Sequence, residues 1–127
     1  MIRLLHLADT HLGARHPGRG HGDPYLLNLH RALAPAREGK VHLVLHGGDF
    51  FNRSRPPVRL LAEAAFELTE AAEGGADVVV VPGNHERSAI PHGLLARHEH
   101  LHVLDQPRTV VLETARGTST GKVAVLK

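Results

Sequence analysis

Three short apolar runs, separated by two segments with helical spacing of their apolar residues, constrain the fold of this chain most. The runs extend from Ile2 to Ala8, from Val41 to Leu45 and from Val78 to Val81. Between them, Asp23-Pro24 has the form of a helix N-cap followed by proline at the first helical position, and Gly74-Gly75 ends the second helical segment. The order strand, helix, strand, helix, strand predicts an α/β fold, with a mostly parallel sheet and flanking helices.

The helical segments and the C-terminal part carry more detailed expectations. The first helix should end or kink at Pro35, and the second should begin at Ser54-Arg55-Pro56-Pro57. In the second helix, helical spacing predicts burial of Val58, Leu61, Ala65, Leu68 and Ala72, and exposure of Glu63, Glu67, Glu70 and Glu73. Further on, we expect a short helix at Pro91 to His98, strands at Leu101 to Leu104, Thr109 to Glu113 and Val123 to Leu126, and a polar turn at Thr114 to Gly121.

Composition excludes several classes of protein and site. There is no cysteine, so disulfides and thiolate metal sites are excluded. No apolar run approaches the roughly 20 residues that span a bilayer, and the N-terminus lacks a signal-peptide pattern, so we expect a cytoplasmic protein without membrane association. The formal charge of +2 is too small to indicate nucleic-acid binding by itself.

Three polar motifs follow the three apolar runs directly: Asp9-Thr10-His11, Gly48-Asp49 and Gly83-Asn84-His85-Glu86. Because the carboxyl ends of parallel strands lie at one edge of a sheet, their side chains should meet there. Carboxylate, imidazole and amide donors suit Mn, Mg, Fe or Zn ions. The Asp49 carboxylate can bridge two ions about 3.5–4 Å apart, while Asn84 offers a neutral oxygen to the second. The sequence therefore predicts a two-metal centre for hydrolysis at phosphorus.

Each motif alone also has an explanation as an ordinary surface turn, and only the three together, in this order at strand ends, favour a metal centre. His46 lies one turn before Asp49 and is a candidate to support it. His6 and His42 lie inside strands, where packing or exposure explains them. A group of later histidines has metal-like spacing but is explained more simply by a helix end running into a strand; it comprises His92, His98, His100 and His102.

With these motifs the chain resembles the calcineurin-like metallophosphoesterases, and within them the SbcD-type DNA repair nucleases. The resemblance rests on residues 5–13, 46–57 and 81–86, and it covers the chain from residue 1 to about 112. Leu12-Gly13 after the first histidine, and Arg55-Pro56-Pro57 after the second carboxylate, favour the nuclease branch.

The resemblance implies a set of roles for the site residues. Asp9 and His11 would hold one metal ion, Asp49 would bridge, and Asn84 would hold the second. His85 would remain unligated, contact the scissile phosphate and assist the leaving oxygen. Two divalent ions are implied, with manganese the usual activating ion of the family.

The family completes its site with three later histidines, two of them in a Gly-His-x-His turn that this chain lacks. We therefore expect residues 1–127 to be the N-terminal portion, about half, of a layered metallophosphoesterase nuclease domain, with weak metal binding and little turnover on its own. Asn52 stands where some nuclease members carry a histidine thought to aid exonucleolytic cleavage. Glu86 stands where aspartate is commoner.

The expected function is metal-dependent phosphodiester hydrolysis by a DNA repair nuclease with exonuclease or endonuclease activity. The alternatives are a non-catalytic or truncated module with the same fold, and a small phosphoesterase acting on nucleotides or phosphoproteins. By resemblance, the partners are DNA, an SMC-like ATPase subunit of the SbcC type and a second copy of the chain. Loop arginines flank the predicted site and either bind substrate phosphates or are ordinary solvated side chains; they are Arg15, Arg19, Arg53, Arg55 and Arg87.

Overall fold

A four-stranded parallel sheet forms the centre of the computed structural model, in which the described residues are 1–15, 23–83, 98–107, 109–116 and 119–126, with the backbone alone for 114–116 and 119–126. The strands are adjacent in chain order: β1 (Leu4–Leu7), β2 (Leu43–His46), β3 (Asp77–Val80) and β4 (Leu101–Val103). The predicted α/β fold with a parallel sheet is therefore confirmed. The strand ends differ from the predicted runs by one or two residues.

One face of the sheet packs against the helices α1 (Pro24–Ala32), α2 (Ala34–Arg37) and α3 (Val58–Glu73). Side chains alternate between the two faces along a strand. The helix-facing set therefore takes alternate strand positions, and it joins the helices in a core that includes Val44, Val78, Val80, Leu29, Leu33, Leu61, Ala65 and Leu68. This core fixes the loops that follow β1 and β2.

The opposite face of the sheet is covered by an antiparallel hairpin of β5 (Thr109–Arg116) and β6 (Ser119–Leu126). Leu112 of the hairpin packs with Leu43, Val79 and Leu104. The prediction of a polar turn from Thr114 to Gly121 is wrong, because the ladder runs on through both strands to the pair Arg116 and Ser119. Cross-strand backbone hydrogen bonds extend this ladder through polar residues that lack an apolar alternation.

The helix ends follow the sequence signals. The Asp23 carboxylate accepts hydrogen bonds from the Tyr25 and Leu26 amides, as an N-cap does. The helix breaks at Leu33, two residues before Pro35, and α3 ends at Gly74. No helix in the described part of the chain has the length and apolar character needed to cross a membrane.

Two positions of α3 differ from the prediction. Val58 is 75% exposed, because the first residue of the helix lies beyond the edge of the core. Glu67 faces inward instead of outward, since α1 and α2 each supply a partner. Its carboxylate lies 2.9 Å from His30 Nδ1 of α1 and 3.3 Å from Arg37 Nη1 of α2. The predicted helix at Pro91 to His98 falls outside the described residues except for His98.

Candidate metal centre

The loops after β1 and β2 run side by side and are joined by backbone hydrogen bonds. The Asp9 amide donates to the Gly48 carbonyl at 3.0 Å, and the His11 amide donates to the Asp49 carbonyl at 3.1 Å. One residue further, Leu12 forms an isolated parallel bridge with Phe51. The sheet pairing thus continues into the loops and sets the first two polar motifs next to each other.

Asp9, His11 and Asp49 adopt left-handed backbone conformations, with φ of 54°, 45° and 51°. In the described part of the chain they are the only non-glycine residues with positive φ. Such conformations cost about 1–3 kcal/mol each and persist where the surrounding structure enforces them, often at functional sites. Here these strained backbone conformations turn three donor side chains toward one point.

The donor atoms of these three residues lie within 4.8 Å of one another. Asp9 Oδ1 is 3.8 Å from His11 Nε2, and both side chains are accessible, at 69% and 38% exposed. The carboxylates open onto a cavity of about 270 Å³ that is also lined by Pro82 and Gly83 from the loop after β3. The structure thus brings the first two motifs together with the start of the third.

Gly83 is required by its close approach to Asp49. A Cβ atom at this position would collide with Asp49 Oδ1 and lie 2.5 Å from the Asp49 amide nitrogen. Any side chain at residue 83 would therefore displace Asp49. The glycine of the third motif keeps the β3 loop against the Asp49 loop.

Thr10 and His46 support the two loops from beneath through one chain of hydrogen bonds. The Gly48 amide donates to His46 Nδ1 at 3.3 Å, and His46 Nε2 lies 3.0 Å from Thr10 Oγ1. The Thr10 hydroxyl donates onward to the Phe50 carbonyl at 3.0 Å. With its hydroxyl proton so placed, Thr10 accepts from Nε2–H, and His46 must be the neutral tautomer with a free Nδ1 acceptor.

Burial also favours the neutral form of His46. His46 is 1% exposed, and its pKa is lowered to about 4, mainly by desolvation and also by the nearby His6, while Asp49 opposes the shift. Sequence reasoning left His46 as one candidate among several and gave Thr10 no role. The sequence signal available for Thr10 was its position between two predicted metal ligands, Asp9 and His11.

Several predicted site residues can be placed only in part. Asn84, His85 and Arg87, together with Glu86 and Arg19, lie outside the described residues, so their predicted roles stay predictions. Arg53 and Arg55 are exposed in the loop between β2 and α3, and Arg15 is exposed after the first motif. Within the described ranges none of these three arginines forms an ion pair, in contrast to Arg37 and Arg59.

In the described part of the chain, the histidines of the strands and of the loop before β4 have partners or exposure that need no metal ion. His42 is buried and accepts a hydrogen bond from the Arg3 amide on Nδ1, and His6 is exposed. His100 Nδ1 and His102 Nε2 lie 3.0 Å and 3.4 Å from Asp77 Oδ1, at the opposite edge of the sheet. His102 lies in β4 and His100 directly precedes it, which fits the simpler explanation for these two, while His92 lies outside the described residues.

Two carboxylates and one imidazole form a donor set of the kind that hard or borderline divalent cations prefer. The accessible carboxylate oxygens and the short separations between donors leave room for a cation between them. The residues present therefore fit a divalent metal ion.

Comparison with known proteins agrees with this geometry. The model of the calcineurin-like phosphoesterase family matches residues 2–118. The DNA double-strand break repair protein Mre11 of Methanopyrus kandleri is 34% identical over 86 residues, which cover 67% of this chain and 19% of that protein. The Mre11 protein of Methanocaldococcus jannaschii is 35% identical over 86 residues, covering 67% and 24%. That of Saccharolobus solfataricus is 24% identical over 119 residues, covering 89% and 31%.

The chain thus spans about a fifth to a third of the length of these curated relatives. The match extends over most of the chain and includes the two loops that carry Asp9, His11 and Asp49. The resemblance inferred from the motifs is confirmed: the chain belongs to the calcineurin-like phosphoesterases, a family of hydrolases that use divalent metal ions.

Proposed function

We propose that this chain provides the N-terminal part of a DNA repair nuclease that hydrolyses phosphodiester bonds with two divalent metal ions, with manganese as the ion favoured by family preference. The observation that carries the proposal is the convergence of Asp9, His11 and Asp49, all in left-handed conformations, at the carboxyl edge of a parallel sheet. Its support comes from membership of the phosphoesterase family and from relatives that are named as DNA double-strand break repair proteins.

Each residue has a distinct task in this proposal. Asp9 and His11 would hold one ion, Asp49 would be shared by both ions, and Asn84 would supply an oxygen to the second. Bound divalent ions lower the pKa of water toward neutrality and stabilise charge on the attacking and leaving oxygens of an in-line displacement. His85 donates a hydrogen bond or a proton to the departing oxygen. Thr10 and neutral His46 hold the two loops so that the donors keep their spacing.

The partners and the location are proposed on family grounds. We propose that the protein acts in the cytoplasm on DNA, with an SMC-like ATPase subunit of the SbcC type, and as a homodimer. We also propose that the remaining metal-ligating histidines of the family follow residue 127 in the complete protein.

The decisive experiment measures cleavage of end-labelled DNA by the complete protein with Mn²⁺, with and without prior chelation, beside hydrolysis of a nucleotide phosphomonoester and a phosphopeptide. We expect DNA cleavage that is lost on chelation and restored by Mn²⁺. Faster hydrolysis of the nucleotide or phosphopeptide would favour the small-phosphoesterase alternative. Unchanged cleavage after verified removal of metal would refute the metal mechanism, and metal-loaded protein that cleaves none of the three would favour a non-catalytic module.

A further inference from the structure

A second cavity, of about 220 Å³, lies beside the metal centre, between the same two loops. It is lined by seven residues, of which Gly13 adds no side chain. Four apolar side chains form its walls, those of Leu12, Pro56, Pro57 and Leu60. The basic side chains of Arg15 and Arg53 form its rim. The Asp, His and Gly residues of the metal centre take no part in it.

Four of the seven lining residues have no free backbone amide to offer to a phosphate. The Leu12 amide is bonded to the Phe50 carbonyl at 2.9 Å, and the Gly13 amide is bonded to Asp23 Oδ2 at 3.0 Å. Pro56 and Pro57 have no amide hydrogen. The Asp23 carboxylate, next to Gly13, also opposes an anion at this point. The two guanidinium groups are the side-chain donors of the cavity, beside the buried side chains of Leu12 and Leu60.

This combination fits a flat ring with a polar edge. Guanidinium planes stack on nucleobases and donate to the acceptors along the base edge, and apolar side chains pack against the base faces. The cavity is smaller than the roughly 300–1,000 Å³ of sites that enclose a whole drug-sized ligand. One base fits this size better than a complete nucleotide does.

The cavity is placed to act together with the metal centre. His11 immediately precedes Leu12 and Gly13 in the chain, so the wall begins within about 7.6 Å of a proposed metal ligand, at 3.8 Å per residue. Successive phosphates of one stacked strand rise about 3.4 Å each. The cavity wall therefore begins within about two nucleotide steps of His11.

We propose that this cavity, the Arg15–Arg53 pocket, binds one unpaired nucleobase of a single-stranded DNA segment whose backbone crosses the metal centre. The inference rests on the proposed nuclease function and names its substrate more narrowly: a strand that is already single, or has been opened, near the cleaved bond. It assigns Arg53 to base stacking and not to a phosphate contact.

The test compares the affinity of the complete protein, in EDTA, for a short oligodeoxythymidine and for an abasic oligonucleotide of the same length and charge. A base adds stacking and cation–π attraction that an abasic site cannot make. We therefore expect the thymidine oligonucleotide to bind on the order of tenfold more tightly. Arg53→Ala and Arg53→Lys should both remove most of this preference, because lysine keeps the charge but not the flat guanidinium.

Arg59→Ala is the matched control, because it removes an equal charge from the first turn of α3. The Arg59 side chain is 90% exposed and pairs with Glu63 outside the pocket. It should weaken both oligonucleotides equally and leave the preference intact. Equal affinity of the unaltered protein for the two probes would overturn the proposal. So would full preference in Arg53→Lys, which would make residue 53 a phosphate contact.

Cleavage is measured separately, so the two proposals fail in different ways. Manganese-dependent cleavage without a base preference would leave the nuclease function standing and remove the pocket. A base preference in a protein that does not cleave DNA would support the pocket and remove the nuclease function.

Discussion

Two clusters of carboxylate and imidazole groups lie at opposite edges of the same parallel sheet, and they differ in every physical respect that matters for binding a cation. Asp9, His11 and Asp49 follow the carboxyl ends of β1 and β2. Asp77 lies at the start of β3, with His100 and His102 beside it. The residue types are the same, so composition cannot explain the difference.

Burial and hydrogen bonding separate the two clusters. The Asp77 side chain is 9% exposed, and its Oδ1 atom lies within hydrogen-bond distance of two imidazole nitrogens. It occupies ordinary strand backbone and has its partners already. At the other edge, Asp9 is 69% exposed, and its contact with His11 is 3.8 Å, too long for a hydrogen bond. Those donors are held close together without satisfying one another.

The backbone accounts for this contrast. The left-handed conformations of Asp9, His11 and Asp49 bring like-charged carboxylates together, against their mutual repulsion. A bound cation would offset both the repulsion and the strain. A metal centre is thus marked by donor side chains that do not hydrogen-bond to one another and that lie on strained backbone. Asp77 and its two histidines, which do pair with one another, are a structural cluster.

The largest effect is expected for Asp49→Asn in the complete protein. Asparagine tolerates the left-handed conformation and keeps the shape, so the change isolates the bridging charge. We expect loss of bound metal and a fall in DNA cleavage on the order of a thousandfold, since metal ions supply several kcal/mol of transition-state stabilisation. Without metal, this variant should be at least as stable as the unaltered protein, because a repulsive charge is removed.

The measurements for Asp49→Asn are metal content by elemental analysis, cleavage rate, and urea unfolding after chelation. Normal metal content would show that Asp49 is not a ligand. A marked loss of stability without metal would place Asp49 with Asp77, as a residue that holds the fold.

His85→Ala should lower turnover without loss of metal and should therefore separate catalysis from metal binding. A group that donates a proton to the leaving oxygen typically contributes about 10²–10⁴-fold. We expect turnover to fall by that factor, with metal content and DNA binding near normal. His85→Gln, which keeps a hydrogen-bond donor, should recover part of the rate. If metal is lost in step with activity, His85 is a ligand and its proposed role is wrong.

The sequence predicted the parallel sheet and placed the first two motifs at strand ends, because apolar runs and helix caps are local signals. It could not reveal that Asp9 and Asp49 take left-handed conformations, since neither residue type requires them. It also misassigned Glu67, whose inward orientation depends on how α2 packs against α3. The chain of bonds through Thr10 and His46 joins residues 36 apart and arises only when the loops pair.

A smaller, pH-dependent effect is expected from His46 beneath the metal centre. Its pKa is lowered to about 4 in the fold, against an ordinary value of 6.5, so between these values the unfolded chain binds more protons than the folded one. The stabilisation is complete above pH 6.5, is lost as the pH falls toward 4, and reaches at most about 3 kcal/mol at 1.36 kcal/mol per unit. Urea unfolding of chelated protein at several pH values should show this slope, and His46→Gln should flatten it. An equal slope in both proteins would assign the pH dependence to other groups.

The smallest effect is expected at the opposite edge, for Asp77→Ala. Removing the carboxylate takes one partner from the His102 imidazole and one from the His100 imidazole, whose Nε2 still lies 3.6 Å from Glu99 Oε1. Loss of a hydrogen-bonding partner for a buried group costs about 1–3 kcal/mol. His100 is 47% exposed, so water replaces part of what is lost, and the cost should lie toward the lower end of this range.

Asp105→Ala is the control: its carboxylate is exposed just after β4, and exposed substitutions usually stay within about 0.5 kcal/mol. Metal content and cleavage should be unchanged in both variants, because β3 alone separates the two edges by about 10 Å at 3.3 Å per residue. Loss of metal in Asp77→Ala would break the distinction between the two clusters, and no loss of stability would show that Asp77 does not anchor β4.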